Sequence, residues 1–178
     1  MPDSSTLKLV GGAGANRAKL LTQSKGGANN SDTIANLLVE SPVALTGTEP
    51  LLKATSGSSK LTVTDTVTCQ GTADTVEIDH VTASTTALVA SNMTFAGTGS
   101  WTIQGDGGIE ITGGTISNDA SAIISNKLTA ASGFTKAGSG TLTFADPSGV
   151  ATEIALNEGA IVFATNANFT GSDYVTLG

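Results

Sequence analysis

Residues 133–144 read GFTKAGSGTLTF: a run of glycine and other small residues leads directly into a strand-like alternation. About forty residues earlier, residues 95–103 read FAGTGSWTI, with the same order of parts. Period-two alternation sends successive side chains to opposite faces of an extended chain. Leu142 and Phe144 are therefore expected to point inward, and Thr141 and Thr143 outward. Glycine reaches φ > 0 without steric cost. Gly138 and Gly140, with Gly97 and Gly99 in the earlier copy, are the expected corners where the chain turns between strands.

The alternation continues on both sides of this stretch. In KLTVTDTVTCQG (60–71), Leu61, Val63, Val67 and Cys69 share one face and Thr62, Thr64, Thr66 and Thr68 the other. Asp65 interrupts the apolar face, so a bend is expected there. DTVEIDHVTA (74–83) sets Val76 and Ile78 against Glu77 and Asp79. WTIQGDGGIEITGGTIS (101–117) sets Trp101, Ile103, Ile109 and Ile111 against Thr102, Glu110 and Thr112. GAIVFATNANFTGSDYVTLG (159–178) closes the chain with two more short strands, and Ile161 and Phe163 complete the expected core. Strands of three to five residues, punctuated this often by Gly, Asn, Asp and Ser, suit a solenoid whose coils each give one strand to each of several parallel sheets.

Residues 1–59 are less regular. In SDTIANLLVE (31–40), Ile34, Leu37 and Leu38 have helical spacing and Ser31 or Asp32 could cap the free amides. A short helix and another strand both fit. This segment is read as an irregular N-terminal cap, and residues 60–178 as the coils.

Composition supports strands. The chain has 28 threonines and 22 glycines, and only 13% of its residues are charged, which leaves few of the residues that build exposed helix faces. Net charge is −7 and no basic patch exists, so a nucleic-acid partner is not expected. No run of about 18 apolar residues is present, so insertion into a membrane is not expected either. Cys69 is the only cysteine, which forbids an internal disulfide and reads as a small buried apolar residue. The opening MPDSSTLKLV lacks the regions of a signal peptide. A secreted chain would then be a mature piece or leave the cell by another route.

AGTGSWTI (96–103) aligns with AGSGTLTF (137–144) at an offset of 41 residues, and ITGGTIS (111–117) with LNEGAIV (156–162) at 45. Two blocks in the same order make a degenerate internal repeat of 41–45 residues, each holding about two coils. FTKAGSGTLTF followed by IALNEGAIVFA resembles the autotransporter-associated β-strand repeat. That family's pattern is a Lys-x-Gly-x-Gly-x-Leu-x-Leu block, a strand, then a small-Gly-x-Leu block. Lys136, Gly138, Gly140, Leu142 and Phe144 occupy the first block here, and Gly159 and Ile161 the second. The likeness is good over 134–164, weaker over 95–117 and absent before about residue 60. DPSGVATE (146–153) stands where the family usually has Asn-Thr-Tyr-x-Gly-Gly-Thr. The resemblance implies a single-stranded, right-handed parallel β-helix of the kind found in the secreted passenger regions of bacterial surface proteins.

No catalytic, cofactor or metal site is expected. His80 is the only histidine and shares the Val76/Ile78 face, so it reads as a packed or corner histidine rather than as part of a triad. Glu77 and Asp79 share an outer face, where solvated acids are ordinary. The chain lacks the aromatic platforms that β-helix enzymes acting on polysaccharides use. GDGGIEITGG (105–114) is not iterated as a calcium-binding nonapeptide repeat would be. GGAGANR (11–17) lacks the further residues of a phosphate-binding loop. The sequons at Asn29, Asn92 and Asn168 read as chance triplets. The outward row Thr62, Thr64, Thr66 and Thr68 suggests ice binding, but the following strand offers Thr75, Glu77 and Asp79, so the row is read as strand propensity.

The reading is thus an all-β, non-catalytic structural protein, extracellular or on a bacterial cell surface: a stalk or surface fibre of adhesin type. One alternative is a filament subunit stacking head to tail through open solenoid ends, since the final YVTLG has no polar cap after it. Another is a polysaccharide-binding or viral receptor-binding β-helix. The partners these readings carry are further copies of the chain and a glycan or host-surface ligand.

Overall fold

Threonine, valine and isoleucine are stiff at χ1 and favour extended backbone, and most of the described residues lie in strands. The structure is a computed structural model. It describes residues 6–10, 19–22, 32–41, 51–55, 57, 59–71, 74–146, 153–164 and 175–177. The first strands are β1 Thr6–Val10, β2 Lys19–Thr22, β3 Asp32–Ile34, β4 Asn36–Ser41, β5 Leu51–Ala54 and β6 Leu61–Gly71. Next come β7 Asp74–His80, β8 Thr86–Ala96, β9 Trp101–Gln104, β10 Gly108–Ile111, β11 Thr115–Asn118 and β12 Ala122–Ile124. The series ends with β13 Leu128–Thr129, β14 Phe134–Ala137, β15 Thr141–Phe144, β16 Ile154–Leu156, β17 Ala160–Phe163 and β18 Val175–Leu177. No helix occurs among the described residues. SDTIANLLVE is therefore strand, β3 and β4, rather than a short helix. Leu37 and Val39 point inward while Leu38 is half-buried. The helix-like spacing arises because Ala35 breaks the strand and resets the phase of alternation.

Among the described residues all strand pairs are parallel, and the strands form two sheets of 11 and 7. The chain visits both sheets on each circuit. The larger sheet has two arms. One holds β3, the first parts of β6 and β8, β10 and β13; the other holds β1, β4, the remainders of β6 and β8, β11, β14, β16 and β18. A register shift between Val63 and Thr66 marks the passage between arms in β6, and Asp65 is exposed there, at the expected bend. The smaller sheet runs β2-β5-β7-β9-β12-β15-β17. Circuits shorten along the chain: Lys19 pairs with Leu51 and Leu51 with Glu77, steps of 32 and 26 residues. Later Trp101 pairs with Ala122, Ala122 with Leu142 and Leu142 with Ile161, steps of 21, 20 and 19.

Parallel register stacks like residues upon like, and the core is a set of apolar ladders. Leu61, Leu88, Ile109 and Leu128 form one, in the first arm. Ile103, Ile124, Phe144 and Phe163 form another, in the smaller sheet. Phe144 stacks on Phe163 at 5.8 Å and meets Phe134 of the larger sheet edge-on at 5.7 Å, so the two sheets touch through aromatic rings. Trp101, Ile103, Ile109, Ile111, Leu142 and Phe144 are all buried; Ile161 and Phe163 are half-buried against the core. Leu142 does not rest on Trp101 directly, because β12 intervenes and Ala122 lies between them.

The first repeat block agrees with this register. Ala96–Trp101 and Ala137–Leu142 are the same corner, from the second arm to the smaller sheet, two circuits apart. The second block does not. Residues 111–117 pass between the two arms of the larger sheet, whereas residues 156–162 pass from that sheet to the smaller one. Small residues and glycine mark both kinds of corner, and their similarity aligned two places that are not equivalent.

Candidate functional site

The corners carry the least expected chemistry. Gly97, Gly138 and Gly159 have φ of +101°, +78° and +77° at three of the passages into the smaller sheet, before β9, β15 and β17, a region that favours glycine. Gly99 and Gly140 do not share it. Gly140 answers a different demand: a Cβ there would collide with the carbonyl of Ala120 in the circuit before.

Beside Gly138, Lys136 is fully buried. It pairs with Ile116 and Leu156 in an otherwise apolar ladder. Its Nζ donates to the carbonyls of Ala137 at 2.6 Å, Gly138 at 2.5 Å and Glu158 at 3.2 Å. Burial lowers its pKa below the ordinary 10.5, and the charges of Glu158 and Asp119 partly oppose that.

Three asparagines work in the same way, one at each kind of corner. Asn118, buried, donates from Nδ2 to the carbonyls of Ala120 (2.6 Å) and Thr141 (3.0 Å). Asn126, buried, donates to Ile78 (3.0 Å), Gly105 (3.2 Å) and Gly107 (2.7 Å), joining three circuits. Asn92, half-buried, donates to the carbonyl of Asp65 (3.2 Å) and accepts from the N–H of Thr115 (2.9 Å). The Asn92 sequon is thereby committed to backbone bonds on both sides; Asn29 and Asn168 lie outside the described residues. Turning the chain strips backbone carbonyls of their sheet partners, and these side chains replace them.

Lys136 was legible only as a motif position, and Asn118 and Asn126 not at all. The signal that marks them is a polar residue standing in the apolar phase of a strand, or just past its end, next to a glycine-bearing turn.

His80 lies at the end of β7, 2% exposed. Its Nδ1 accepts from the N–H of Thr82 at 2.8 Å and its own N–H donates to Asp106 Oδ1 at 3.1 Å. The ring is thus a corner element, and Asp106 is bound to backbone. Asp79 pairs with Lys53 of the adjacent strand at 3.6 Å, on the outside of the smaller sheet. Among the described residues no three His, Cys, Asp or Glu side chains gather as metal ligands would. Cys69 is buried and free, and burial pushes its thiol up to about 12. An open groove of about 230 Å³ is lined by Gly113, Ser132, Phe134, Thr135, Glu153 and Ala155. That is below the roughly 300–1,000 Å³ usual for small-molecule sites.

The described aromatic side chains Phe95, Trp101, Phe134, Phe144 and Phe163 all belong to the core or pack against it. No helix of the described residues is long and apolar enough to cross a membrane. Comparison with protein-family models, with curated proteins and with solved structures finds no match to this chain.

Proposed function

We propose that the chain is a non-catalytic β-solenoid, a single-stranded right-handed parallel β-helix that serves as a rigid stalk or surface fibre outside a bacterial cell. The observation that carries this reading is the unbroken parallel stacking of strands from β1 to β18 in the larger sheet, one step per circuit. Stacked circuits bury a continuous core and contact only their neighbours, which produces a stiff rod. The corner clamps favour the same role, since from β6 onward Asn92, Asn118, Asn126 and Lys136 tie neighbouring circuits together through bonds to backbone. The resemblance of residues 134–164 to the autotransporter-associated repeat points the same way, towards a passenger-type rod with adhesion as its use.

Eight strands at about 4.8 Å spacing make a stack roughly 35 Å long. Small-angle scattering and negative-stain electron microscopy of the purified chain should show a stack that narrows towards its C-terminal circuits, discrete or joined end to end into longer fibres. Circular dichroism without a dominant β-sheet signal would sink the reading.

A further inference from the structure

The outward threonines of β6 have neighbours other than those their order in the sequence suggests. Thr75, Glu77 and Asp79 belong to β7, in the other sheet. In register, Thr66 and Thr68 lie beside Asn92 and Thr94 of β8. Thr94 lies beside Ser117 of β11, and Thr115 and Ser117 beside Thr135 and Ala137 of β14. The outer face of the second arm is therefore a lattice of two columns over four circuits. Seven of these eight side chains carry a hydroxyl or an amide and none is charged; the one exposed carboxylate bonded to it, Asp65, stands at its edge and accepts from Thr66 Oγ1 at 3.1 Å.

The lattice is rigid. No register shift falls within it, since the one in β6 lies before Thr66. Val67, Met93 and Ile116 directly behind it are at most 3% exposed. Asn92 is held on both sides by backbone bonds. Among the described residues, the hydroxyls of Thr68, Thr94 and Ser117 have no hydrogen-bond partner in the protein, which leaves them to water. Strand geometry fixes two repeats: about 4.8 Å between circuits and about 6.7 Å between alternate residues of one strand. Both lie close to oxygen repeats on planes of the ice lattice. Fixed hydroxyls at those spacings, with threonine methyls between them, order water into the pattern that an ice surface continues.

We propose that this outer face binds ice. Purified chain at micromolar concentration should shape growing ice crystals, open a gap between melting and freezing points, and slow recrystallisation. Thr94→Tyr, which raises a bulky ring at the centre of the lattice, should remove most of that gap. Thr143→Tyr, on the outer side of the smaller sheet, should keep it. Ser117→Lys serves as a second disrupting variant, and thermal melting checks that each protein is folded. Absence of ice shaping by the folded parent chain overturns the proposal. So does an undiminished gap in folded Thr94→Tyr and Ser117→Lys, or a gap lost in Thr143→Tyr alone.

Discussion

Lys136 stacks in register on Ile116, so a lysine occupies a rung of an apolar ladder. It can do so because its stem packs as a hydrocarbon while its ammonium reaches the corner. There the carbonyls of Ala137 and Gly138 have left their own sheet, and that of Glu158 arrives from the next circuit. A buried cation is costly unless it is fully bonded, and three carbonyl acceptors match the three donors of an ammonium. The lysine thus joins two circuits at a place where backbone alone leaves both open.

Lys136→Met keeps the stem and removes the donors. The ammonium is buried and bonded to three carbonyls, and their loss should cost about 1–3 kcal/mol at neutral pH, read from denaturant midpoints. The sign of the pH dependence follows from the lowered pKa. Between that lowered value and 10.5 the unfolded chain holds a proton that the folded chain has released, so folding gains stability as pH rises through this window. The deficit of Lys136→Met relative to the parent should therefore widen as pH approaches 10.5. A deficit that shrinks would mean that the charged form is the favoured one in the fold.

What the sequence discloses and what it hides divide along the strands and corners. Leu142 and Phe144 against Thr141 and Thr143 were legible because one unbroken strand preserves parity. Parity fails wherever the chain turns inside the larger sheet: Leu88 and Ala90 point inward, and so do Met93 and Phe95, with the phase reset at Ser91 and Asn92. A reading that carries one phase through such a bend places side chains on the wrong face. Which strands become neighbours is hidden as well. Thr68 lies beside Thr94, 26 residues away and past the whole of β7. The clamps were the least visible, because polar residues beside glycines are expected at the surface, and Asn118, Asn126 and Lys136 are inside.

Asn126 should be the most sensitive of the asparagines, since its amide serves three carbonyls in two earlier circuits. Asn126→Ala leaves the buried carbonyl of Gly107 short of a donor, at a cost of about 1–3 kcal/mol. Asn126→Asp should be worse, because it aims a carboxylate at carbonyl oxygens. Melting curves of the two variants rank them, and an aspartate variant as stable as the parent would show that the corner opens to water.

Gly138 and Gly140 should both resist substitution for different reasons. Gly138→Ala forces a left-handed conformation and crowds the carbonyl of Asn118, for about 1–3 kcal/mol. Gly140→Ala has no strain in φ, yet its Cβ meets the Ala120 carbonyl and the Asn118 side chain, so β12 and β15 must separate locally. Gly57→Ala, with nothing within 4 Å of the added Cβ, should stay within about 0.5 kcal/mol of the parent. Equal effects at all three sites would refute the close approach of successive circuits.

Cys69 tests the core from within. It stacks between Val39 and Phe95, and its thiol is pushed up to about 12 by burial. The thiolate is the reactive form, so a maleimide at neutral pH should leave the folded chain unlabelled and modify it once guanidinium unfolds it. The same burial sets a pH slope opposite to that of Lys136. The neutral thiol's contribution to stability is intact below its ordinary 9.0. It is lost as pH climbs towards 12, because the unfolded thiol ionises first. Cys69→Val, close in volume, should flatten that part of the profile while leaving the Lys136 window in place. Rapid labelling of the native chain would show that the larger sheet parts at β4, β6 and β8, where the ladder is otherwise continuous.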